Sequence, residues 1–133
     1  VTVAAIATAL DTRLSTISGL RVYPFVPDSI VPPAAVIGVP SVEFDTYSGT
    51  SPALETWTVH VLVGRASDRT AFTDLAAYLA KSGTKSVRAA LEGDPTLGGL
   101  ATARLVRAIP STVTVAGTDY LAATFDVEVY DRP

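Results

Sequence analysis

The chain has 133 residues, no cysteine and a single histidine. Disulfide frameworks, cysteine-based zinc sites, iron–sulfur clusters, cysteine nucleophiles and multi-histidine metal sites are therefore excluded. Only 17% of residues are charged, the net charge is −3 and the mean hydropathy is +0.37. That is the wrong sign for a dedicated nucleic-acid binder and a thin charge for an ordinary domain, which points to surface hidden in an assembly.

Residues 1–133 are one domain's worth of chain, enough to bury roughly two-thirds of the unfolded surface. The longest uncharged stretch, Ser29–Val42, contains Pro32, Pro33 and Pro40. No apolar run reaches the roughly 20 residues that a membrane-spanning helix needs. Val1–Leu10 is apolar, but no basic residue precedes it and Asp11 and Arg13 follow. It reads as a helix start, not a signal peptide.

Val3, Ile6, Leu10, Leu14 and Ile17 keep the 3-4-4-3 spacing of one helical face. The spacing predicts an amphipathic helix over 2–18, ended by Gly19 as the C′ residue. Leu20–Phe25 is a short extended run closed by Pro24 and Pro27. The segment 27–33 is irregular, because its prolines forbid a regular ladder. Ala34–Val39 is a short apolar strand that Pro40 limits to an edge or an end. Ser41–Ala53 is a long loop or arm with a strand near Val42–Phe44; loops this long are usually functional or disordered.

Leu54–Arg65 is the clearest strand. Trp57, Val59, Val61 and Val63 take one face, and Thr56, Thr58, His60 and Leu62 the other, an antiparallel signature with one wet side. Ser67 or Asp68 then caps a helix to about Ser82, with Phe72, Leu75 and Leu79 as its buried stripe. Gly83 breaks it. Ser86–Leu91 is a shorter helix with Val87, Ala90 and Leu91 inward. Ala101–Ile109 is a curved strand with Arg104 and Arg107 on opposite faces, and Pro110 interrupts it. Ser111–Ala116 and Tyr120–Tyr130 flank a hairpin turn at 116–119. In the last strand Leu121, Ala123, Phe125, Val127 and Val129 face one way, and Thr124, Asp126 and Glu128 the other.

Strands bunched on either side of a helical insert argue for an α+β fold. The expected architecture is an antiparallel β-sheet with the N-terminal helix and the central helical pair packed on one face.

No catalytic constellation emerges. His60 sits mid-strand without a nucleophile on a tight turn or an orienting acid, and G-x-S-x-G is absent. Gly83-Thr84-Lys85-Ser86 comes near a phosphate loop, but Thr84 separates the glycine from the lysine and no strand leads in. It reads as a helix break and a new helix start. Asp126 and Glu128 share a strand face roughly 7 Å apart; beside Thr124 they read as a solvated face. No calcium-loop motif is present. Lys and Arg do not cluster along the sequence, since each group adjoins acids or helix ends. No catalytic residue, cofactor or metal is expected.

What remains is the loop 24–33 and the arm 41–53. Phe25, Val26, Ile30, Val31, Phe44 and Tyr47 are more apolar than free loops should be. Either they fold back on their own sheet or they bury against another subunit. The low charge favours the second, so these six are the candidate subunit-interface residues.

The layout resembles the tail terminator (tail completion or minor tail) proteins of long, non-contractile-tailed phages. The resemblance runs along nearly the whole chain. An opening amphipathic helix leads to Gly19-Leu20-Arg21-Val22-Tyr23, then Pro32-Pro33-Ala34-Ala35-Val36-Ile37-Gly38. The long strand Trp57-Thr58-Val59-His60-Val61-Leu62-Val63 follows. After it come a helix with Leu75 and Tyr78-Leu79, then Lys85-Ser86-Val87-Arg88-Ala89-Ala90-Leu91, and Asp94-Pro95-Thr96-Leu97-Gly98-Gly99 before the closing strands.

The resemblance implies a virion protein made in the bacterial host cytoplasm. It would form a homo-oligomeric ring, typically hexameric, at the head-proximal end of the tail. The ring ends tube polymerisation. Its partners are the tail tube protein on one side and the head–tail connector on the other. DNA passes through the lumen without specific binding, and an acidic lumen would repel its phosphates. Ring closure needs heterologous contacts, for which the loop and arm are natural givers. A head-side connector or head-closure protein of the same particles is the alternative. A small-ligand or enzyme domain would need convergent polar groups in a pocket, which the absence of Cys, Asn and Gln and the single His oppose.

Overall fold

The computed structural model describes residues 3–23, 29–43, 54–65, 69–93, 96, 97, 99 and 101–131. The opening apolar stripe forms helix α1 (Val3–Leu14), four residues shorter at its C-terminal end than the spacing predicts. After Leu14 the chain tightens into three-residue turns. The N–H of Thr16 donates to the Arg13 carbonyl and that of Ile17 to the Leu14 carbonyl. The Thr16 hydroxyl donates to the same Arg13 carbonyl at 2.6 Å. Such side-chain bonds compete with the helical ladder and end it. The tighter turn still delivers Ile17 to the core, and Gly19 adopts φ +83° beyond it.

Six strands form one sheet: β1 (Arg21–Tyr23), β2 (Ala34–Ile37), β3 (Ser41–Glu43), β4 (Leu54–Arg65), β5 (Ala101–Val115) and β6 (Thr118–Asp131). The spatial order is β1-β2-β4-β6-β5, with β3 also on β4. Strands β2 and β3 lie end to end along one side of β4: Ala34–Ile37 pair with residues 62 to 59, and Ser41–Glu43 with 56 to 54. The N–H of Gly38 donates to the Thr58 carbonyl at 2.7 Å. A Cβ at Gly38 would press on that same carbonyl. Every pairing is antiparallel except β1 with β2, which is parallel. Strand β2 is thus flanked on both sides, not an edge, and Pro40 falls in the gap before β3.

Two long strands dominate. The expected bounds of β4 hold at both ends. Strand β5 runs unbroken through Pro110, contrary to the expected interruption. Among the described strands it pairs with β6 alone, where Pro110 lies opposite Ala123. An edge strand tolerates a proline because one side of it needs no ladder donor. Ala116 (φ +51°) and Gly117 (φ +80°) connect β5 to β6, a two-residue hairpin turn of the I′ type.

Helices α2 (Ala71–Leu79) and α3 (Val87–Glu92) complete the layer. All three helices share one apolar cluster with one sheet face, which includes Trp57, Val59, Val61, Phe125, Val127 and Val129. The fold is α+β, with an N-terminal helix and two further helices on a six-stranded sheet. The buried stripe of α2 is Ala71, Leu75 and Tyr78, one position removed from the predicted one; Phe72 is 72% exposed. The helix starts after Thr70, later than the expected cap at Ser67 or Asp68, which lie outside the described residues.

Two polar anchors hold the helices. Arg13 Nε donates to the Ala90 carbonyl at 2.9 Å, placing a cation at the C-terminal end of α3, where the helix dipole favours it. A Cβ at Gly93 would collide with this guanidinium. Buried Ser86 caps α3 by accepting the Ala89 N–H at 3.1 Å, and donates to the Ala80 carbonyl at the end of α2.

Candidate functional site

The outer face of the sheet, opposite the helices, divides into an apolar corner and a charged end. Ile30, Ala34, Val36, Leu62 and Ala122 form the apolar corner, with Tyr23, Val113, Val115 and Tyr120 around it. Ile30 is 8% exposed there. Its side chain packs within its own chain, as the first of the two readings of these loop residues has it. Val31 beside it is 53% exposed. Phe25, Val26, Phe44 and Tyr47 lie outside the described residues.

A bulge shapes the charged end. The β5–β6 register shifts between Leu105 and Arg107. One extra residue, Val106, flips the alternation of every later side chain. Arg104 therefore pairs with Glu128 and Arg107 with Asp126. Since those acids are two apart on β6, both arginines lie on the outer face, not on opposite faces as strict alternation predicts. Arg107 Nε is 3.0 Å from Asp126 Oδ2. The Tyr130 hydroxyl donates to Glu128 at 3.2 Å, and this bond, with the carboxylate's charge, raises the phenol's pKa. Asp126 is thus held by Arg107, and Glu128 by the Tyr130 hydroxyl. Neither is poised as a free acid or base.

His60 lies one register row further along, opposite Thr124. Its Nδ1 is 3.1 Å from Thr124 Oγ1. Burial lowers the imidazole's pKa from 6.5, and the charge of Asp126 opposes that shift. No nucleophile completes a relay through it. Among the described residues no group of three His, Asp or Glu could hold a metal ion. No described helix is long and apolar enough to cross a membrane. Ser86 caps α3 as its sequence suggests, but α2 already ends at Leu79 with Ala80 extended, short of the expected break at Gly83; the Ser86 hydroxyl is occupied by α2 and α3.

A cleft of about 490 Å³ opens where the bulge of β5 meets the ends of α2 and α3. Lys81, Arg88, Arg104 and Arg107 surround it, with Leu79, Val106 and Ala108 between them. Glu92 also lines it and pairs with Arg88 at 3.0 Å. The Tyr78 phenol, raised in pKa by burial and by Asp74, lies at its inner wall. These cations are spread over 27 positions of sequence, so their convergence was hidden until the bulge and the helix ends were placed together. Among the described lining residues no nucleophile is hydrogen-bonded to a base.

Compared with known proteins, the chain matches no family model and no curated sequence.

Proposed function

We propose that this chain is a non-catalytic, ring-forming structural protein of a tailed phage particle. Its place is the head-proximal end of the tail tube, as a tail terminator. The observation that carries the reading is the placement of exposed apolar side chains at both lateral margins of the sheet. Val31 and Val39 mark the β1–β2–β3 side, and Val106 and Ile109 the β5 side. A heterologous ring needs two different sticky margins on one subunit, whereas a two-fold dimer needs only one. The ordered sequence resemblance supports the same reading. In it, the tail tube protein and the head–tail connector contact the two rims of the ring, and DNA crosses the lumen without specific contacts. Six copies of a −3 chain make an acidic ring, consistent with that passage.

The test is a stop codon in this gene followed by negative-stain electron microscopy of the lysate. Separate filled heads beside tails of abnormal length are the expected result. Tails of normal length beside heads that leak DNA would place the protein on the head side instead. Intact particles would overturn the structural role altogether.

A further inference from the structure

The cationic side chains of this chain are unevenly placed along its sequence. Residues 22–64, which supply β2, β3 and most of β4, contain no lysine or arginine and carry Asp28, Glu43, Asp45 and Glu55. Seven of the ten cationic side chains fall within residues 65–107. The fold sets the cation-free strands β2 and β3 and the arginine-bearing β5 on different sides of β4, with Arg21 of β1 beside β2 and Asp119, Asp126, Glu128 and Asp131 on β6. Strands β2 and β3 lie on one side of β4, and β6 and β5 on the other. From β2 to β5 is three strand spacings, about 14 Å.

At the β5 margin, Arg88 and Arg107 are already paired with Glu92 and Asp126. Lys81 and Arg104 make no ion pair among the described residues. Leu79 and Val106 also line the cleft. At the opposite margin, Val39 projects from the β2–β3 junction at 92% exposure. Glu43 closes β3 and is also exposed. One margin thus carries a cleft lined by cations together with Leu79 and Val106, and the other an exposed valine followed by a carboxylate.

We infer that these margins are the two halves of one head-to-tail contact: the β5 cleft of one subunit receives the β2–β3 junction of a second copy of this chain, with Val39 toward Leu79 and Val106 and Glu43 toward Arg104 and Lys81. The contact is made by side chains, not by adding a strand to β5. Pro110 lacks an N–H, and the Val106 bulge breaks the edge, so neither end of it is a long template for a ladder. The inference rests on the ring reading above and names the contact that closes the ring.

The chain's lack of cysteine makes a direct test possible. Val39→Cys and Val106→Cys variants are mixed and treated with a short bis-maleimide, and wild-type protein is sedimented in parallel. The expected product is a Val39–Val106 cross-linked dimer from the mixture, far exceeding any from either variant alone. A chain carrying both cysteines should give a ladder of higher oligomers. Arg104→Glu in the Val106→Cys chain should lower the yield at least about tenfold, because it faces Glu43 with a like charge. Glu43→Arg in the other chain should restore it. Raised salt should weaken the product.

Equal cross-linking within each single variant would mean a two-fold contact and overturn the inference. So would the absence of product from the mixture. If wild-type protein then sediments as an oligomer, only the contact is wrong and the ring stands. If it sediments as a monomer, the ring reading loses its support as well.

Discussion

Trp57 and Glu55 are hydrogen-bonded to each other on the buried face of β4, with indole Nε1 donating to Glu55 Oε1 at 3.1 Å. Both side chains are almost fully enclosed. A buried indole N–H needs an acceptor, and here the only tryptophan finds it two residues back on its own strand face. Glu55→Ala should therefore destabilise the fold by about 1–3 kcal/mol, the cost of stranding a buried donor. Glu55→Gln keeps an acceptor oxygen and should cost less. Trp57→Ala should cost about 3–5 kcal/mol through the cavity it leaves. Denaturant titrations followed by circular dichroism would rank the three. If Glu55→Ala unfolds at the wild-type midpoint, the hydrogen bond contributes nothing.

The hairpin turn carries a residue poorly suited to it. Ala116 sits at φ +51° ahead of Gly117 at +80°. An alanine in the left-handed region is disfavoured, whereas asparagine adopts it readily and is preferred at this turn position. Ala116→Asn should stabilise the chain by about 0.5–1 kcal/mol. Ala116→Val, β-branched, should do the reverse. The check is the shift in thermal midpoint of the two variants; the same shift in both would mean that the turn backbone does not set their stability.

Phe72 tests where helix periodicity misleads. Its spacing with Leu75 and Leu79 marks it as core, yet it stands in solvent while Tyr78 is buried. Phe72→Ser should change stability by no more than about 0.5 kcal/mol, as for an ordinary surface position. Leu75→Ala should cost about 2–5 kcal/mol. A large loss on Phe72→Ser would show that its ring is covered in the free monomer. A loss confined to assembly would place it in a contact between subunits.

The same distinction explains what was legible in the chain. Strand β4 is readable because a two-residue alternation runs from Leu54 to Val61, and α3 because Val87, Ala90 and Leu91 form one short buried stripe. The face of α2 is not, because its apolar residues fill two adjacent stripes, Phe72–Leu79 and Ala71–Leu75–Tyr78. Only the sheet beneath selects one of them. Pro110 was read as a break because its effect depends on whether the strand is central or at the edge, which is a property of the whole sheet. The positions of Arg104 and Arg107 on one face depend on a single bulged residue, Val106, which no alternation pattern announces. The basic cleft follows from that bulge and was hidden for the same reason. The parallel β1–β2 pair was equally hidden, since a three-residue strand carries too little pattern to set its direction.

His60 gives the fold a pH dependence whose sign can be worked out. Its imidazole is partly buried beside Thr124, and burial lowers its pKa below 6.5 against the opposing charge of Asp126. Just below pH 6.5 the unfolded chain therefore takes up the His60 proton while the folded chain still resists it. Stability consequently rises with pH across that interval and is lost as the pH falls from 6.5 toward the folded-state value. A His60→Gln chain retains a polar side chain beside Thr124 and loses the titration. The wild-type thermal midpoint should fall relative to that of His60→Gln between about pH 6.5 and 5, with a constant difference above about pH 7.5. Asp126→Asn removes the charge that opposes the shift, so the wild-type loss should deepen in that variant. Parallel curves for wild type and His60→Gln across the whole interval would show that His60 titrates alike in the folded and unfolded chains.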